Sequence, residues 1–151
     1  MKIEEAILQK KPFRNEWERA FVNIFFTSNW LEQQQKEFLE SFDITVQQYN
    51  VLRILRGQHP QPMSTSGIRE RMLDKMSDAS RIVKRLKAKG WVRIRPCKQD
   101  KRLVDIHITD SGLELLEAID QRRDTFAGAT HWSISAEEAC QLNTLLDKIR
   151  S

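Results

Sequence analysis

The chain has 151 residues and a formal net charge of +4, with 40% apolar and 30% charged residues. That composition fits one soluble globular domain with dimerisation arms, long enough to build a core without metal or disulfide staples. Two cysteines exclude a disulfide scaffold and suit a reducing cytoplasm, the acids in Met1-Lys2-Ile3-Glu4-Glu5 do not suit a signal peptide, and no apolar run approaches a membrane span.

From about Phe13 to Phe42 the spacing predicts one long helix. Trp17, Phe21, Ile24, Ser28, Leu31, Gln35, Phe38 and Phe42 alternate steps of four and three, a heptad-like seam. A helix of about 30 residues is roughly 45 Å long, more than one small domain buries, so a partner helix is expected. Thr45 and Gln48 form a capping box for a second helix, with Ile44 and Tyr49 as its staple, and Gly57 is its expected end. After the loop 58–62, Ser64 or Thr65 caps a short helix through Ile68, Met72 and Leu73. Ser77 is then expected to cap a helix whose inward residues are Ala79, Ile82, Val83 and Leu86, stopped by Gly90.

The apolar period then changes to two. Val92 and Ile94 alternate with Arg93 and Arg95, while Val104, Ile106 and Ile108 alternate with Leu103, Asp105 and His107. The polar run 98–102 between them reads as a hairpin tip. Thr109 caps a further helix carrying Leu113, Leu116 and Ile119. Ser135 and Glu138 form a capping box for a last helix with Leu142, Leu145, Leu146 and Ile149. The fold class is therefore mainly α with a small β-hairpin wing: a winged helix-turn-helix flanked by dimerisation helices. The expected division is an N-terminal dimerisation helix over 1–44, a DNA-binding winged helix over 45–109, and C-terminal dimerisation helices over 110–151.

Charge is unevenly spread. Residues 1–52 carry net −2, residues 53–102 carry net +11, and residues 103–151 carry net −5. A basic block between acidic flanks is the footprint of a polyanion partner. The face of Ser77, Asp78, Ser80, Arg81, Lys84 and Arg85 on the helix after the short one fits double-stranded DNA. Arg81 and the short polar groups suit base edges, and Lys84, Arg85 and Lys87, further along, suit phosphates. Ser64 and Thr65, at the start of the preceding helix, join the candidate DNA contacts, as do Lys98, Asp100, Lys101 and Arg102 at the hairpin tip.

The stretch Ser64–Gly112 resembles the multiple-antibiotic-resistance regulator (MarR) family. The residues that carry the resemblance are Ile68-Arg69-Glu70-Arg71-Met72, Ser77-Asp78-Ala79-Ser80-Arg81-Ile82-Val83-Lys84-Arg85-Leu86 and Lys89-Gly90-Trp91-Val92. The tip Asp100-Lys101-Arg102 and the exit Ile108-Thr109-Asp110-Ser111-Gly112 complete it. The resemblance implies that Arg102 enters the DNA minor groove and that Asp100 orients it, with Lys98 and Lys101 on flanking phosphates. It implies a cytoplasmic homodimer on a pseudo-palindromic operator, acting as a ligand-responsive repressor. A small-molecule effector pocket would draw on Trp17, Phe21, Phe25, Trp30, Tyr49 and Phe126, against the plainer reading of these aromatics as dimer core.

The competing function is a winged helix used as a protein-interaction or assembly module, which would call for an apolar or mixed recognition face. An enzyme is excluded by the lack of a phosphate loop, nucleophile elbow or zinc-protease motif. No catalytic residue, metal site or cofactor is expected. His59, His107, His131, Cys97 and Cys140 show no ligand spacing. Cys97 stands beside Arg95 and Lys98, cations that favour a thiolate, and is the one redox candidate; Cys140 is expected at an interface or in the core.

Overall fold

The computed structural model describes residues 1–126 and 132–151, with side chains described to residue 122 and again from 132. The elements are α1 (Ile3–Ala6), α2 (Glu16–Glu40), α3 (Val46–Gln58), α4 (Thr65–Arg71), α5 (Ala79–Ala88), β1 (Val92–Pro96), β2 (Val104–Ile108), α6 (Asp110–Phe126) and α7 (Ala136–Arg150). The chain divides into two compact units, Met1–Leu116 and Glu117–Ser151.

In the first unit, α1 precedes the expected helices. Ile3 is buried, and Glu4 Oε1 meets Arg19 Nε at 2.9 Å, which fastens α1 to α2. The long helix is shorter than the expected Phe13–Phe42. Asn15 stops it at the front by accepting the Glu18 N–H at 2.9 Å, and the chain leaves it through Ser41. Only Leu39 of α2 is buried; Trp17, Phe21, Ile24, Phe25, Phe26 and Trp30 are exposed.

α3 starts at the expected capping box: Thr45 Oγ1 accepts from Gln48 N–H at 3.1 Å, and Gln48 Oε1 accepts from Thr45 N–H at 3.2 Å. Gly57 does not end it. The helix runs on to Gln58, and His59 N–H still reaches the Leu55 carbonyl at 3.0 Å, because nothing at Gly57 demands a left-handed backbone. Ser64, rather than Thr65, caps α4 by accepting the Gly67 N–H at 3.1 Å. That helix ends at Arg71, so Leu73 falls beyond the apolar stripe and is exposed, while Met72 is buried. The cap of α5 is Asp78, not Ser77. Asp78 Oδ1 accepts the Arg81 N–H at 3.1 Å, whereas the Ser77 hydroxyl donates to Asp74 Oδ2 at 2.8 Å.

Gly90 ends α5 as expected. At φ 77 it takes the left-handed turn, its N–H bonds the Lys87 carbonyl at 2.9 Å, and the Trp91 N–H bonds the Leu86 carbonyl at 3.1 Å. This is the paired C-terminal closure that glycine permits. β1 and β2 then pair antiparallel, with Val92 opposite Ile108 and Ile94 opposite Ile106. Their shared face turns inward at Val92, Ile106 and Ile108, while Arg93 and Arg95 are exposed. A single bridge from Met63 to Ile106, with bonds of 3.0 and 2.9 Å, adds an edge that no sequence period announces.

The core lies where α3, α4, α5 and the hairpin converge. Leu52, Leu55, Ile68, Met72, Leu86 and Ile106 are its most buried side chains, and Val51, Val83 and Leu116 join them. Complete burial of such side chains contributes about 1.5–3 kcal/mol each. Thr109 fixes the start of α6: its hydroxyl donates to the Gly90 carbonyl at 2.7 Å and accepts the Gly112 N–H at 3.2 Å.

In the second unit, Ile119 is buried, and α7 opens with the expected Ser135–Glu138 capping box. Leu142, Leu145 and Ile149 along α7 are exposed. Among the described residues, no helix is long and apolar enough to cross a membrane.

Candidate nucleic-acid interface

The candidate interface lies within the first unit, and it begins with a turn that aims a helix. Between α4 and α5, Asp74 accepts the Met76 N–H at 2.9 Å and the Ser77 hydroxyl at 2.8 Å. The Ser77 bond, then the Met76 bond, holds the Asp74 carboxyl below the usual carboxylate range. The Leu73 N–H donates to Asn50 Oδ1 at 3.0 Å, tying the turn back to α3. Packing of α5 on α3, α4 and β1 fixes its inner face through Ala79, Val83 and Leu86.

Its outer face is cationic. Ser80, Arg81, Lys84, Arg85 and Lys87 are all exposed. Asp78 is committed to the helix cap, and Ser77 is half-buried against Asp74. From Ala79 to Gln99 the chain contains eight lysines and arginines and no acid. The half-buried Ser64 caps α4 and pairs with Ser66 Oγ at 3.1 Å; Thr65 beside it is also half-buried.

At the hairpin tip, Asp100 and Arg102 form one unit. Asp100 Oδ1 accepts the backbone N–H of Arg102 at 3.0 Å and its Nε–H at 3.1 Å, and Oδ2 accepts from a terminal guanidinium nitrogen at 3.3 Å. The side-chain bonds, then the backbone bond, hold the Asp100 carboxyl below its ordinary range. The Arg102 side chain is nonetheless 90% exposed, so it is directed without being buried. Lys98 and Lys101 flank it, exposed. The Cys97 N–H and Leu103 carbonyl close the hairpin at 3.0 Å.

Two further cations fall outside the set drawn from the sequence. Arg93 and Arg95 stand on the exposed face of β1, opposite His107 and Asp105. Their alternation with Val92 and Ile94 was the available signal. Lys89, at the end of α5, donates to the Asp43 carbonyl, meets Asp43 Oδ2 at 3.1 Å, and lies 4.8 Å from the centroid of the Trp91 ring.

The aromatic set is not gathered into one place. Trp17, Phe21, Phe25 and Trp30 are exposed along α2, with the Phe21 and Phe25 rings 4.8 Å apart between centroids and tilted by 48°. Tyr49 is instead in the core, its hydroxyl accepting from Arg53 at 2.8 Å. The Phe126 side chain lies outside the described residues. Cys97 is half-buried and Cys140 exposed, and both are free thiols. Among the described residues, no group of three or more His, Cys, Asp or Glu could hold a metal ion.

Comparison with known proteins gives one answer. The family model for the MarR family matches residues 42–103. The HTH-type transcriptional regulator PecS of Dickeya dadantii is 25% identical over 125 residues, covering 79% of this chain and 72% of that protein. The HTH-type transcriptional repressor IacR of Pseudomonas putida is 26% identical over 117 residues, covering 78% and 69%. Staphylococcus aureus MepR, solved in a DNA-binding conformation, superposes with a TM-score of 0.70 at 25% identity, over 86% of this chain and 95% of MepR. A mutant Escherichia coli MarR complexed with operator DNA shares the fold, with a TM-score of 0.77 at 24% identity over 92% and 99% of the two chains. The architecture, the turn-aimed cationic helix and these relatives converge: over residues 42–103 the chain is similar to the MarR family, and the whole supports a winged-helix, DNA-binding transcription regulator.

Proposed function

We propose that this regulator acts in the cytoplasm as a homodimer on a pseudo-palindromic double-stranded operator, as a repressor released by a small ligand. The observation that carries the reading is the exposed face of α5, where Ser80, Arg81, Lys84 and Arg85 stand on a helix capped and buried on its other side. Arg81, in the first turn, reads a guanine edge through its N7 and O6, with Ser80 beside it. Lys84 and Arg85 hold phosphates, and Ser64, Thr65, Ser77 and Asp78 border the same groove. Arg102 enters the minor groove, set in direction by Asp100, with Lys98 and Lys101 on the flanking backbone. Residues 45–109 carry DNA binding, while 1–44 and 110–151 carry dimerisation through apolar faces that water covers in the single chain. An effector would draw on the α2 aromatics. An assembly module would instead need an apolar recognition face, and that of α5 is polar and cationic.

The test is selection from a random duplex library by the purified protein, followed by affinity measurements across salt. One sequence should be enriched. With about 6–10 phosphates neutralised per dimer, its affinity should fall by roughly 10³–10⁵ between 50 and 200 mM salt. No enrichment together with a flat salt response would overturn the reading.

A further inference from the structure

The turn before α5 displays apolar side chains where the fold has no use for them. Met76 is 92% exposed and Leu73 87% exposed. Their backbones are nonetheless fixed. Asp74 receives the Met76 N–H and the Ser77 hydroxyl, the Ser77 N–H reaches the Asp74 carbonyl at 3.3 Å, and Asn50 receives the Leu73 N–H. Met76 thus combines a held main chain with an unpacked side chain. It stands two residues before the α5 cap, Asp78, at the end of the helix from which helix-turn-helix proteins read base edges. The acid-free cationic run that begins at Ala79 brings the phosphate backbone to this end of the helix.

An apolar side chain delivered to the major groove has one apolar partner there, the C5-methyl group of thymine. The unbranched thioether of methionine adapts to such a contact without a fixed rotamer. We propose that Met76 is a specificity-determining residue that contacts a thymine methyl group in each operator half-site. The inference rests on the DNA-binding reading above and adds a residue and a base to it.

The experiment takes the duplex enriched by the wild-type protein and replaces its thymines one at a time with deoxyuridine, which removes only the methyl group. Dissociation constants are measured for wild type, Met76→Ala and Met76→Leu at one salt concentration. One thymine per half-site should be methyl-sensitive in wild type, with a loss of about fourfold, the weight of one buried methyl group. Met76→Ala should bind the thymine and uracil duplexes alike, and Met76→Leu, which keeps the apolar volume, should restore the difference. Circular dichroism melts of the variants should match wild type, since the side chain is unpacked. Equal binding of every uracil duplex by wild type, or a methyl effect undiminished in Met76→Ala, overturns the inference and leaves the regulator reading standing. Failure to enrich any duplex removes both.

Discussion

Gly112 sits where α6 passes closest to the wing. A Cβ at that position would lie 2.5 Å from the Trp91 carbonyl oxygen and 2.8 Å from Ile108 Cγ1. The first contact is with backbone and has little freedom to relax, because the same carbonyl accepts the Thr109 N–H at 3.0 Å. Overpacking of this kind costs about 1–3 kcal/mol, and disturbing the Thr109 bond adds about 1 kcal/mol. Alanine returns at most about 1 kcal/mol through helix propensity. Gly112→Ala should therefore destabilise the protein by about 2 kcal/mol, which lowers Tm by roughly 4–8 °C in a chain of this size. Gly57 supplies the opposite sign. It lies inside α3, and a Cβ there meets nothing within 4 Å. Gly57→Ala should stabilise by about 0.5–1 kcal/mol and raise Tm by roughly 1–4 °C. Far-UV circular dichroism melts at one protein concentration make the comparison, since association makes Tm concentration-dependent. A Gly112→Ala protein melting at or above wild type would refute the close-approach argument.

The remaining predictions concern DNA and assembly. Arg81→Ala should relax sequence preference, with a loss of about tenfold or more on the operator and little on random duplex; Lys84→Ala should weaken both alike and make the salt slope shallower by about one unit. Equal losses on both duplexes for both variants would refute the assignment of Arg81. At the wing, Arg102→Ala should cost more affinity than Lys101→Ala. Asp100→Ala should weaken binding although it removes an acid, and tighter binding would show that the tip is only a diffuse cationic patch. Because the Asp100 carboxyl is held low by Arg102, their pairing is complete at neutral pH and is lost only as pH falls below the ordinary carboxylate range and through that lowered value. In the Arg102→Ala variant a carboxyl NMR titration should return Asp100 toward the ordinary value. Light scattering at micromolar concentration should give a dimer, and a monomer would remove the proposed role of the α2 and α7 faces.

Much of the fold is legible because its signals are local. The capping boxes at Thr45 and Ser135, the stop at Gly90 and the period of two across β1 and β2 each depend on residues a few positions apart. Where local chemistry offers two equivalent answers, the sequence reading chose wrongly. Ser77 and Asp78 are both good helix caps, and only the turn shows that Asp74 already engages the Ser77 hydroxyl. Leu73 continues an apolar spacing past the residue where α4 stops. α1 is too short to show a period, and the Met63–Ile106 bridge pairs residues that no spacing rule connects. The candidate site follows the same division. Its cations were visible as a charge block, and Arg93 and Arg95 were legible in the strand alternation but not assigned. The exposure of Met76 depended on a hydrogen-bonded turn.

The contact between Lys89 and Asp43 works as a rivet at a junction. Asp43, in the left-handed region at φ 53, forms the corner between α2 and α3, while Lys89 closes α5 and leans on the Trp91 ring that leads into the wing. One ammonium group thus pins the hinge of the arm, the tail of the reading helix and the root of the hairpin. The rivet is exposed on its Asp43 side, so it steers more than it stabilises, and dissolved ions loosen it. Ionic strength therefore acts on this chain twice: once by screening any phosphates its cations meet, and once by loosening the ion pair that ties the corner between α2 and α3 to the end of α5.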